Sequence, residues 1–315
     1  MIRLTDLPAP PQGRTGWPWT EDCHPPPPAM ANGSPWPRIS IVTPSFNQGR
    51  FIEETIRSVL LQDYPDLEYM VIDGGSTDGT VEIIRKYASW LAYWVSEKDN
   101  GQSHAINKGM RRATGAIAAY INSDDYYLPG ALERAADALA GDAAAALVYG
   151  DCVTIGADGA RLGTMAAREF DLETMIGWFD GMPQASVFIR KAALDATGPF
   201  DVSLHYIMDY DMWLRLGLRY PLKRLPVTLA AMRSHEGSKT TGPQAAQARR
   251  FRRERFLVKQ RALADPALPG ALARKRRAIL GRAARVMAKE CLRAGDLAEA
   301  AYYLTCLFAR CGRTA

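Results

Sequence analysis

The chain has 315 residues, 47% of them hydrophobic and 23% charged, a balance typical of folded globular proteins that excludes wholesale disorder, collagen-like repetition and a disulfide-stapled miniprotein. Its net charge of +5 is unevenly distributed. Residues 244–315 contain 17 Lys and Arg against five Asp and Glu, a net of +12, which leaves −7 for residues 1–243. An acidic body with a basic tail argues against a nucleic-acid-binding protein, so no nucleic-acid partner is expected.

The first 37 residues form a proline-rich N-terminal arm that contains ten of the 20 prolines and the tryptophans Trp17, Trp19 and Trp36. Such a composition forms neither a helix nor a central strand. It fits an extended arm that lies on the domain, a disordered lead-in or a proline-rich docking peptide. Because the arm has no periodic apolar face, we expect residues 1–36 to be dispensable for folding.

Two features predict a cytoplasmic protein. No apolar stretch approaches the roughly 18 to 20 residues that cross a bilayer, and prolines interrupt the N-terminal stretch where a secretion signal requires an apolar helix. The five cysteines are an odd number without CxxC spacing, which favours reduced thiols over disulfides or a zinc site. We therefore expect all five cysteines to be structural.

From Arg38 onward, short apolar runs alternate with amphipathic stretches. The predicted strands span residues 38–43, 67–72, 92–96, 116–121 and 146–149. The predicted helices between them span residues 50–62, 80–90, 103–113 and 129–140. Because strands that alternate with helices build a parallel sheet covered by helices, the predicted fold class is α/β. A mixed segment follows, and a boundary near residues 240–243 is predicted to separate a domain of residues 38–242 from a helical basic extension of residues 243–315.

Ligands of open α/β sheets bind beyond the carboxyl ends of the strands, and three loops there are polar. The first, residues 43–48, opens a helix whose free N–H groups suit an anion or a base edge. The second, residues 72–80, is rich in glycine, as a tight turn or a close ligand requires. The third contains Asp124 and Asp125, adjacent carboxylates that a hard divalent cation would join. A solvated helix cap explains the same pair, and this alternative stays open.

Four motifs in order, PSFNQ, VIDGGSTDG, DNGQSHAINKG and NSDDYY, resemble those of family 2 glycosyltransferases. The resemblance covers residues 37–240 and continues through residues 182–188, 208–215 and 233–239. It implies a GT-A fold, a nucleoside-diphosphate sugar donor, with a UDP-sugar as the first expectation, a Mg²⁺ or Mn²⁺ ion, and transfer with inversion at the anomeric carbon. The acceptor that it implies is a glycan or a lipid-linked molecule in surface polysaccharide synthesis.

The resemblance also implies roles for single residues. Asp125 matches the metal ligand that bridges the diphosphate, and Asp124 contacts ribose or metal. Asp209 matches the catalytic base, although a helix cap stays open for it. His235 is a metal or diphosphate contact, or an ordinary surface histidine. The residues expected to bind the nucleotide sugar are Pro44, Ser45, Asn47, Asp73, Asp99, Gln102, Asn107, Lys108, Asp124, Arg233 and Lys239. The residues expected on the acceptor or donor-sugar side are Gln184 and Asp211.

Some of these roles have structural alternatives. Asn107 and Lys108 could equally serve the fold, and Gln184 could be a buried amide that bonds the backbone. Two positions also depart from the family pattern. Position 122 is Asn where many relatives have Asp, so the metal site depends on the two aspartates that follow. Position 74 is Gly where others have an acid that in some relatives contacts uracil, so either Asp73 or the backbone with Asn47 would hold the base.

The basic extension is predicted to contain helices over residues 249–261 and 274–285, then an antiparallel hairpin of residues 284–292 and 297–308. A solvated face that packs on the catalytic domain, contact with an anionic membrane and nucleic-acid binding are its open roles. Peripheral association with the inner face of a membrane would bring the enzyme to lipid-linked acceptors.

The sequence therefore predicts a metal-dependent inverting glycosyltransferase. One alternative is a catalytically silent nucleotide-sugar binding module, because positions 74 and 122 lack acids. Retention of Asp209 argues against it. A second alternative is a sugar-nucleotide hydrolase or nucleotidyltransferase, which would share the metal but need no acceptor pocket.

Overall fold

The computed structural model describes residues 2–30, 32–178, 181–239 and 245–306. Within these residues, one mixed sheet of nine strands has helices on both faces. The strands are β1 (Ile39–Ser45), β2 (Leu67–Asp73), β3 (Tyr93–Ser96), β4 (Ile117–Tyr120), β5 (Tyr126–Tyr127), β6 (Leu147–Ile155), β7 (Arg161–Met165), β8 (Phe188–Arg190) and β9 (Leu222–Arg233). The helices are α1 (Ile52–Leu60), α2 (Thr80–Lys86), α3 (Gln102–Arg112), α4 (Ala131–Ala140), α5 (Leu172–Trp178), α6 (Lys191–Thr197), α7 (Met208–Gly217), α8 (Ala245–Ala264), α9 (Gly270–Arg293) and α10 (Leu297–Cys306).

Four strands form the parallel part of the sheet, in the order β3-β2-β1-β4. The register places Ser45, the last residue of β1, opposite Asp73, the last residue of β2. The loops that follow these two strands therefore leave the sheet at the same edge. This part of the molecule confirms the α/β class predicted from the alternating pattern.

The rest of the sheet is mixed, as the mixed pattern after residue 150 suggests. Strand β8 is antiparallel to both β4 and β6, whereas β9 is parallel to β6. Residues 156–160 alone join β6 to β7, which is too short for the crossover that a parallel pair requires. Ala231, near the end of β9, pairs with Tyr126 of β5. This pairing brings residues 233–239 next to the loop that precedes β5.

Two apolar cores lie on opposite faces of the sheet, because successive side chains of a strand point in opposite directions. Ile41 and Val71 pack with α1 and α4 on one face. Val42 and Met70 pack on the other face, in the core that also contains residues of α3, α5, α7, α8 and α9. Trp213 of α7 is 2% exposed there, so this side of the helix is a core face.

The proline-rich arm lies on the domain and contributes to the first core. Its buried apolar side chains include Leu7, Trp19, Met30 and Trp36. Arg57 of α1 is fully buried, and its guanidinium donates to the carbonyl oxygens of Pro8 at 2.8 Å, Pro18 at 3.0 Å and Trp19 at 3.2 Å. The expectation that the arm adds nothing to a core is therefore wrong, because large apolar side chains spaced irregularly along an extended chain are buried without any periodic pattern.

The C-terminal helices pack on the core that also contains α5 and α7. The predicted second basic helix and the first half of the hairpin are one continuous helix, α9, since nothing between residues 284 and 292 ends it. Its hairpin with α10 is confirmed. The predicted domain boundary at residues 240–243 lies outside the described residues. Within the described ranges, no helix combines the length and apolar character needed to cross a membrane.

Candidate active site

We call the space at the carboxyl edge of the sheet, bounded by the end of β1, the loop before β5 and the start of α7, the groove. The end of β1 forms one wall of it. Pro44 and Ser45 are buried there, and the Ser45 carbonyl accepts the N–H of Gly74 at 2.8 Å. Asn47 has a left-handed backbone, with φ of 52°. Its side-chain Oδ1 accepts the N–H of Thr77 at 3.0 Å. Asn47 therefore joins the loops after β1 and β2, and its side-chain acceptor is already engaged.

Asp73 holds the loop after β2 in shape. The side chain is fully buried. Its Oδ2 accepts the N–H groups of Gly75 at 3.0 Å and Ser76 at 2.9 Å and the hydroxyl of Ser96 at 2.6 Å, while Oδ1 accepts the Ser76 hydroxyl. Direct contact with a nucleotide base would compete with these bonds, and such a contact stays a prediction for Asp73.

Asp99 stands where a side chain at position 74 would project. A Cβ placed on Gly74 would lie 3.1 Å from Asp99 Oδ2 and 3.3 Å from its Oδ1. Oδ1 accepts the N–H of Gly101 at 2.8 Å, and within the described residues no hydrogen bond is formed by Oδ2. The absent side chain of Gly74 thus leaves room for a carboxylate that comes from the loop between β3 and α3.

Asn107 and Lys108 are both engaged with other residues of the fold. Asn107 is buried, and its amide pairs with the backbone of Phe200, donating to the carbonyl at 2.8 Å and accepting the N–H at 2.9 Å. Both polar atoms of that amide are therefore used to join α3 to the chain before α7. Lys108 forms an ion pair with Glu97, which lowers the pKa of Glu97. These contacts support a structural role, and nucleotide binding stays a prediction for both residues.

Asp124 and Asp125, the acidic pair before β5, lie in different environments. Asp125 is 4% exposed; its Oδ1 accepts the N–H of Arg233 at 2.8 Å and its Oδ2 accepts the Asn122 amide at 3.2 Å. Burial, and then the charge of Asp124, raise the pKa of Asp125 well above the usual range, against the stabilising N–H of Arg233. Asp124 is less buried, and its Oδ2 lies 3.1 Å from His235 Nε2. His235 also packs on Phe51, with ring centroids 4.8 Å apart.

Arg233 is a buried anchor and not a free contact for a diphosphate. Its guanidinium donates to Glu54 Oε2 at 2.8 Å, to the Asp124 carbonyl at 3.0 Å and to the Gly156 carbonyl at 3.1 Å. It also lies over the ring of Phe51. The nitrogens of Arg233 hold the loop that places Asp124, and nucleotide-sugar binding by Arg233 stays a prediction.

A chain of side-chain amides crosses the floor of the groove. Asn122 donates to both Asp125 Oδ2 and Gln184 Oε1, and it accepts from Gln102 Nε2 at 2.6 Å. Gln184 is buried and donates to the Tyr120 carbonyl at 2.8 Å. From the sequence alone, Asn122 is interpreted only as a missing acid. The Asn itself could have indicated this contact, since an aspartate at position 122 could not donate to a neighbouring carboxylate.

Lys239 connects the acidic pair to the opposite wall of the groove. Its Nζ donates to Gln102 Oε1 at 2.8 Å. Desolvation lowers the pKa of Lys239, and the carboxylates of Glu254, Asp209 and Asp124 oppose that shift. Lys239 is therefore close enough for the charges of both Asp124 and Asp209 to act on it.

Asp209 lies in the first turn of α7 and is only partly exposed. Burial raises its pKa to about 6, against the N–H of Tyr210, which donates to Oδ1 at 2.7 Å, and the charge of Lys239. A carboxylate in this state is a competent proton acceptor near neutral pH. Asp211 forms an ion pair with Arg215 at 2.7 Å, and Arg215 in turn donates to the Thr197 carbonyl. A contact of Asp211 with the acceptor or donor sugar stays a prediction.

The donor set fits a substrate-bridging cation better than a structural metal. In the described part of the chain, no group of three or more His, Cys, Asp and Glu side chains is placed to hold a metal ion. Asp124 Oδ2 and His235 Nε2 offer two ligand atoms 3.1 Å apart, and the oxygens of Asp125 are engaged behind them. Mg²⁺ bound with a nucleotide takes one or two protein carboxylates and completes its shell with phosphate oxygens and water.

A half-parallel, half-mixed sheet with an acidic pair beyond β4 and a carboxylate at the start of α7 defines a GT-A glycosyltransferase. The family model described as glycosyl transferase family 2 matches residues 40–194, which contain both edge loops and the acidic pair. The chain belongs to this family, and it is a glycosyltransferase.

The chain is similar to one curated glycosyltransferase and to two solved structures. The putative teichuronic acid biosynthesis glycosyltransferase TuaG of Bacillus subtilis is 37% identical over 101 residues, which are 31% of this chain and 40% of TuaG. The structure of S. aureus TarS 1-349 in complex with UDP-GlcNAc matches 84% of this chain and 90% of that chain with a TM-score of 0.63 at 18% identity. The mannosyltransferase PcManGT from Pyrobaculum calidifontis, in complex with GDP-Man and Mn²⁺, matches 88% and 76% with a TM-score of 0.56 at 23% identity.

Proposed function

We propose that the protein transfers a sugar from a nucleoside-diphosphate sugar to a hydroxyl acceptor, with inversion and with the help of Mg²⁺ or Mn²⁺, in the synthesis of a surface glycan. The observation that carries the proposal is that Lys239 contacts both Gln102 of α3 and the carbonyl of His205, four residues before Asp209, while the charges of Asp124 and Asp209 both act on it. Complexes of similar folds with UDP-GlcNAc and with GDP-Man and Mn²⁺ support the donor class. TuaG, whose name refers to teichuronic acid, supports the glycan.

Asp209 acts as the general base in this proposal. It takes the proton of the acceptor hydroxyl as that oxygen attacks the anomeric carbon from the face opposite the diphosphate. A new carbon–oxygen bond forms, the bond from the anomeric carbon to the diphosphate oxygen breaks, and the electron pair leaves with the nucleoside diphosphate. A single displacement of this kind inverts the anomeric carbon and needs no covalent enzyme intermediate.

Asp124 and His235 would hold the metal ion, which when bound neutralises the negative charge of the leaving diphosphate. Lys239 provides a second positive charge within the same groove. Asp125 supports this arrangement from behind, because its bonds to Asn122 and to the Arg233 N–H fix the loop that presents Asp124. Its assignment as a direct ligand stays a prediction, since ligation would replace the contact with Asn122.

The donor and metal proposals are tested by measuring release of nucleoside diphosphate from a panel of UDP- and GDP-sugars, with Mn²⁺ and with a chelator. We expect one donor to be turned over, the chelator to abolish turnover, and Asp124→Asn and His235→Ala to reduce it by at least tenfold, about 1.4 kcal/mol. Asp195→Asn, which changes an exposed carboxylate on α6, is the matched control and should be silent. Turnover that persists in the chelator would reject the metal.

The alternatives differ in their need for an acceptor. A hydrolase would release nucleoside diphosphate at the same rate with and without a glycan acceptor, and a silent module would bind the nucleotide without release. We expect release to rise strongly when an acceptor is added, and the new linkage to show the anomeric configuration opposite to that of the donor. Retention of configuration in the product would contradict the single displacement.

The base of the donor nucleotide is recognised, in our proposal, by Asp99. Its Oδ2 is the carboxylate oxygen next to Gly74, whereas Asp73 and Asn47 have their acceptors engaged. A carboxylate accepts from a ring N–H, which uracil has at N3 and guanine at N1 but which cytosine and adenine lack at the equivalent edge. The proposal therefore predicts a uridine or guanosine donor.

Calorimetry with UDP, GDP, CDP and ADP tests this assignment. Asp99→Asn replaces an acceptor by a donor, so binding of the preferred diphosphate should weaken about 10- to 100-fold, the loss of a charged hydrogen bond of roughly 1.5–3 kcal/mol, while CDP binding improves. Glu97→Gln is the matched control, because Glu97 is exposed and pairs with Lys108. Unchanged selectivity in Asp99→Asn would reject this role.

The acceptor side is proposed to include an anionic membrane surface. Five cations of α9 are exposed on one side of the helix and form a basic stripe: Arg274, Arg277, Arg285, Lys289 and Arg293. Among the described residues, no acidic side chain forms an ion pair with any of the five. Each such cation near an anionic membrane contributes about 1 kcal/mol, which would hold the enzyme where lipid-linked acceptors lie.

A further inference from the structure

Glu254 on α8 reaches the segment that precedes the catalytic helix. It is 7% exposed, and its Oε2 accepts two backbone N–H groups, those of His205 at 2.9 Å and Tyr206 at 2.8 Å. Its Oε1 accepts from Arg250 Nε at 2.8 Å. These two N–H groups lie three and four residues before Asp209, and α7 begins only two residues after Tyr206.

The same short segment is also held from the other side. The carbonyl of Leu204 accepts from Ser103 Oγ of α3 at 3.4 Å, and the carbonyl of His205 accepts from Lys239 Nζ at 3.4 Å. Lys239 in turn donates to Gln102. One segment of a few residues is therefore fixed by α3, by α8 and by the cation of the groove.

We infer that Glu254 is a positioning residue for sugar transfer, which holds residues 203–207 so that Asp209 is presented to the acceptor hydroxyl. The inference rests on the proposed role of Asp209 as base. A carboxylate that accepts two N–H groups forms stronger bonds than a neutral acceptor would, and catalysis is sensitive to shifts of about 1 Å in a reacting group. Glu254 belongs to α8, which lies outside residues 40–194 that match the family model. In this inference α8 therefore helps to position a residue of the active site.

The two oxygens of Glu254 have different partners, so its bonds to the segment can be tested separately from its ion pair with Arg250. Arg250 is more than half exposed, with 55% of its side chain accessible, and contacts only Oε1 of Glu254 among that carboxylate's atoms. The two N–H bonds to the segment involve Oε2. Loss of the ion pair alone should therefore leave the segment in place.

The experiment compares four full-length variants. Glu254→Ala removes the acceptor, and Glu254→Gln keeps a carbonyl oxygen for the two N–H groups. Arg250→Ala removes the ion pair and the contact of the guanidinium with the ring of Tyr206, 5.9 Å away, but keeps both N–H bonds to Glu254. Glu299→Gln is the matched control, because Glu299 is a buried carboxylate that ties α10 to Arg253 of α8 without touching the segment. The readouts are kcat, KM for the donor, melting temperature and hydrogen exchange of residues 203–209.

We expect Glu254→Ala to lower kcat about 10- to 100-fold with donor KM unchanged and with faster exchange of residues 203–209. Glu254→Gln should recover most of kcat, and Arg250→Ala and Glu299→Gln should keep kcat within about twofold even where the melting temperature falls. The inference is overturned by unchanged exchange or unchanged kcat in Glu254→Ala, or by an equal loss of kcat in Glu299→Gln. A wild-type protein that turns over no donor would overturn the proposed function and this inference together, whereas an active wild type with an equally active Glu254→Ala overturns the inference alone.

Discussion

Asp209 has the two properties that a general base requires, a position in the groove and a pKa near the working pH. Burial raises its pKa to about 6, and only the ionised carboxylate can accept a proton. We predict that kcat/KM is constant well above pH 6 and falls about tenfold for each unit below it. A pH profile of the wild type from pH 4.5 to 8 measures this limb.

The control for that profile is Asp211→Asn. Asp211 pairs with Arg215 away from the groove, so its replacement should leave the acidic limb where it is. A wild-type profile that stays flat from pH 5 to pH 7 would mean that Asp209 does not limit the reaction, and a limb that persists unchanged in Asp209→Asn would assign the titration to another group.

Only some contacts of the site residues can be predicted from the sequence. The motifs predict that Asp124, Gln102 and His235 belong to one site. In the structure Asp124 contacts His235, and Gln102 contacts Asn122, two residues before Asp124. Motifs do not specify side-chain partners that come from distant segments. Asn107 bonds a residue 93 positions away, and Arg233 pairs with Glu54 across 179 positions, so neither engagement could be predicted from local spacing.

Among the elements, the proline-rich arm is the one whose contribution differs most from its composition. Trp19 and Trp36 are each about 5% exposed, and truncation of a buried tryptophan costs about 3–5 kcal/mol. We predict that Trp36→Ala, and deletion of residues 2–36, each lower the melting temperature by about 6 °C or more, since 1 kcal/mol corresponds to roughly 2–4 °C for a domain of this size. Differential scanning calorimetry measures both.

Trp178→Ala is the matched control, because that tryptophan is 54% exposed at the end of α5. It should change the melting temperature by about 2 °C or less, as exposed positions usually do. If the arm deletion melts at the wild-type temperature, the contacts of the arm with Arg57 contribute no stability.

For the whole molecule, the sequence predicted the parallel half of the sheet and the helical tail, but not how the tail's charge is used. Composition gives only the total of +12. In the structure, arginines of α8 pair with Asp296, Glu299 and Glu290 of the tail itself, and Arg261 pairs with Asp201 of the catalytic domain. Packing decides which cations are neutralised, and in the described part of the tail the five cations of the basic stripe on α9 are exposed and form no ion pair.

The basic stripe predicts binding to anionic vesicles that weakens as salt screens it. The triple variant with Glu at positions 285, 289 and 293 should lose most of the binding, whereas a triple variant with Glu at 85, 86 and 111, three exposed cations outside the tail, should keep it. Co-sedimentation with phosphatidylserine vesicles and with neutral vesicles measures the difference. Equal binding to both vesicle types would assign the stripe to another role.

The central claim is that Asp209 takes the acceptor proton, and the rate of sugar transfer in Asp209→Asn tests it most directly. Asparagine keeps the shape and caps a helix as well as aspartate does, but it cannot accept the proton. With donor and acceptor saturating, we predict a loss of about 10²- to 10⁴-fold in transfer, with donor binding nearly unchanged and with Asp211→Asn close to the wild type. Transfer by Asp209→Asn at the wild-type rate would contradict the account.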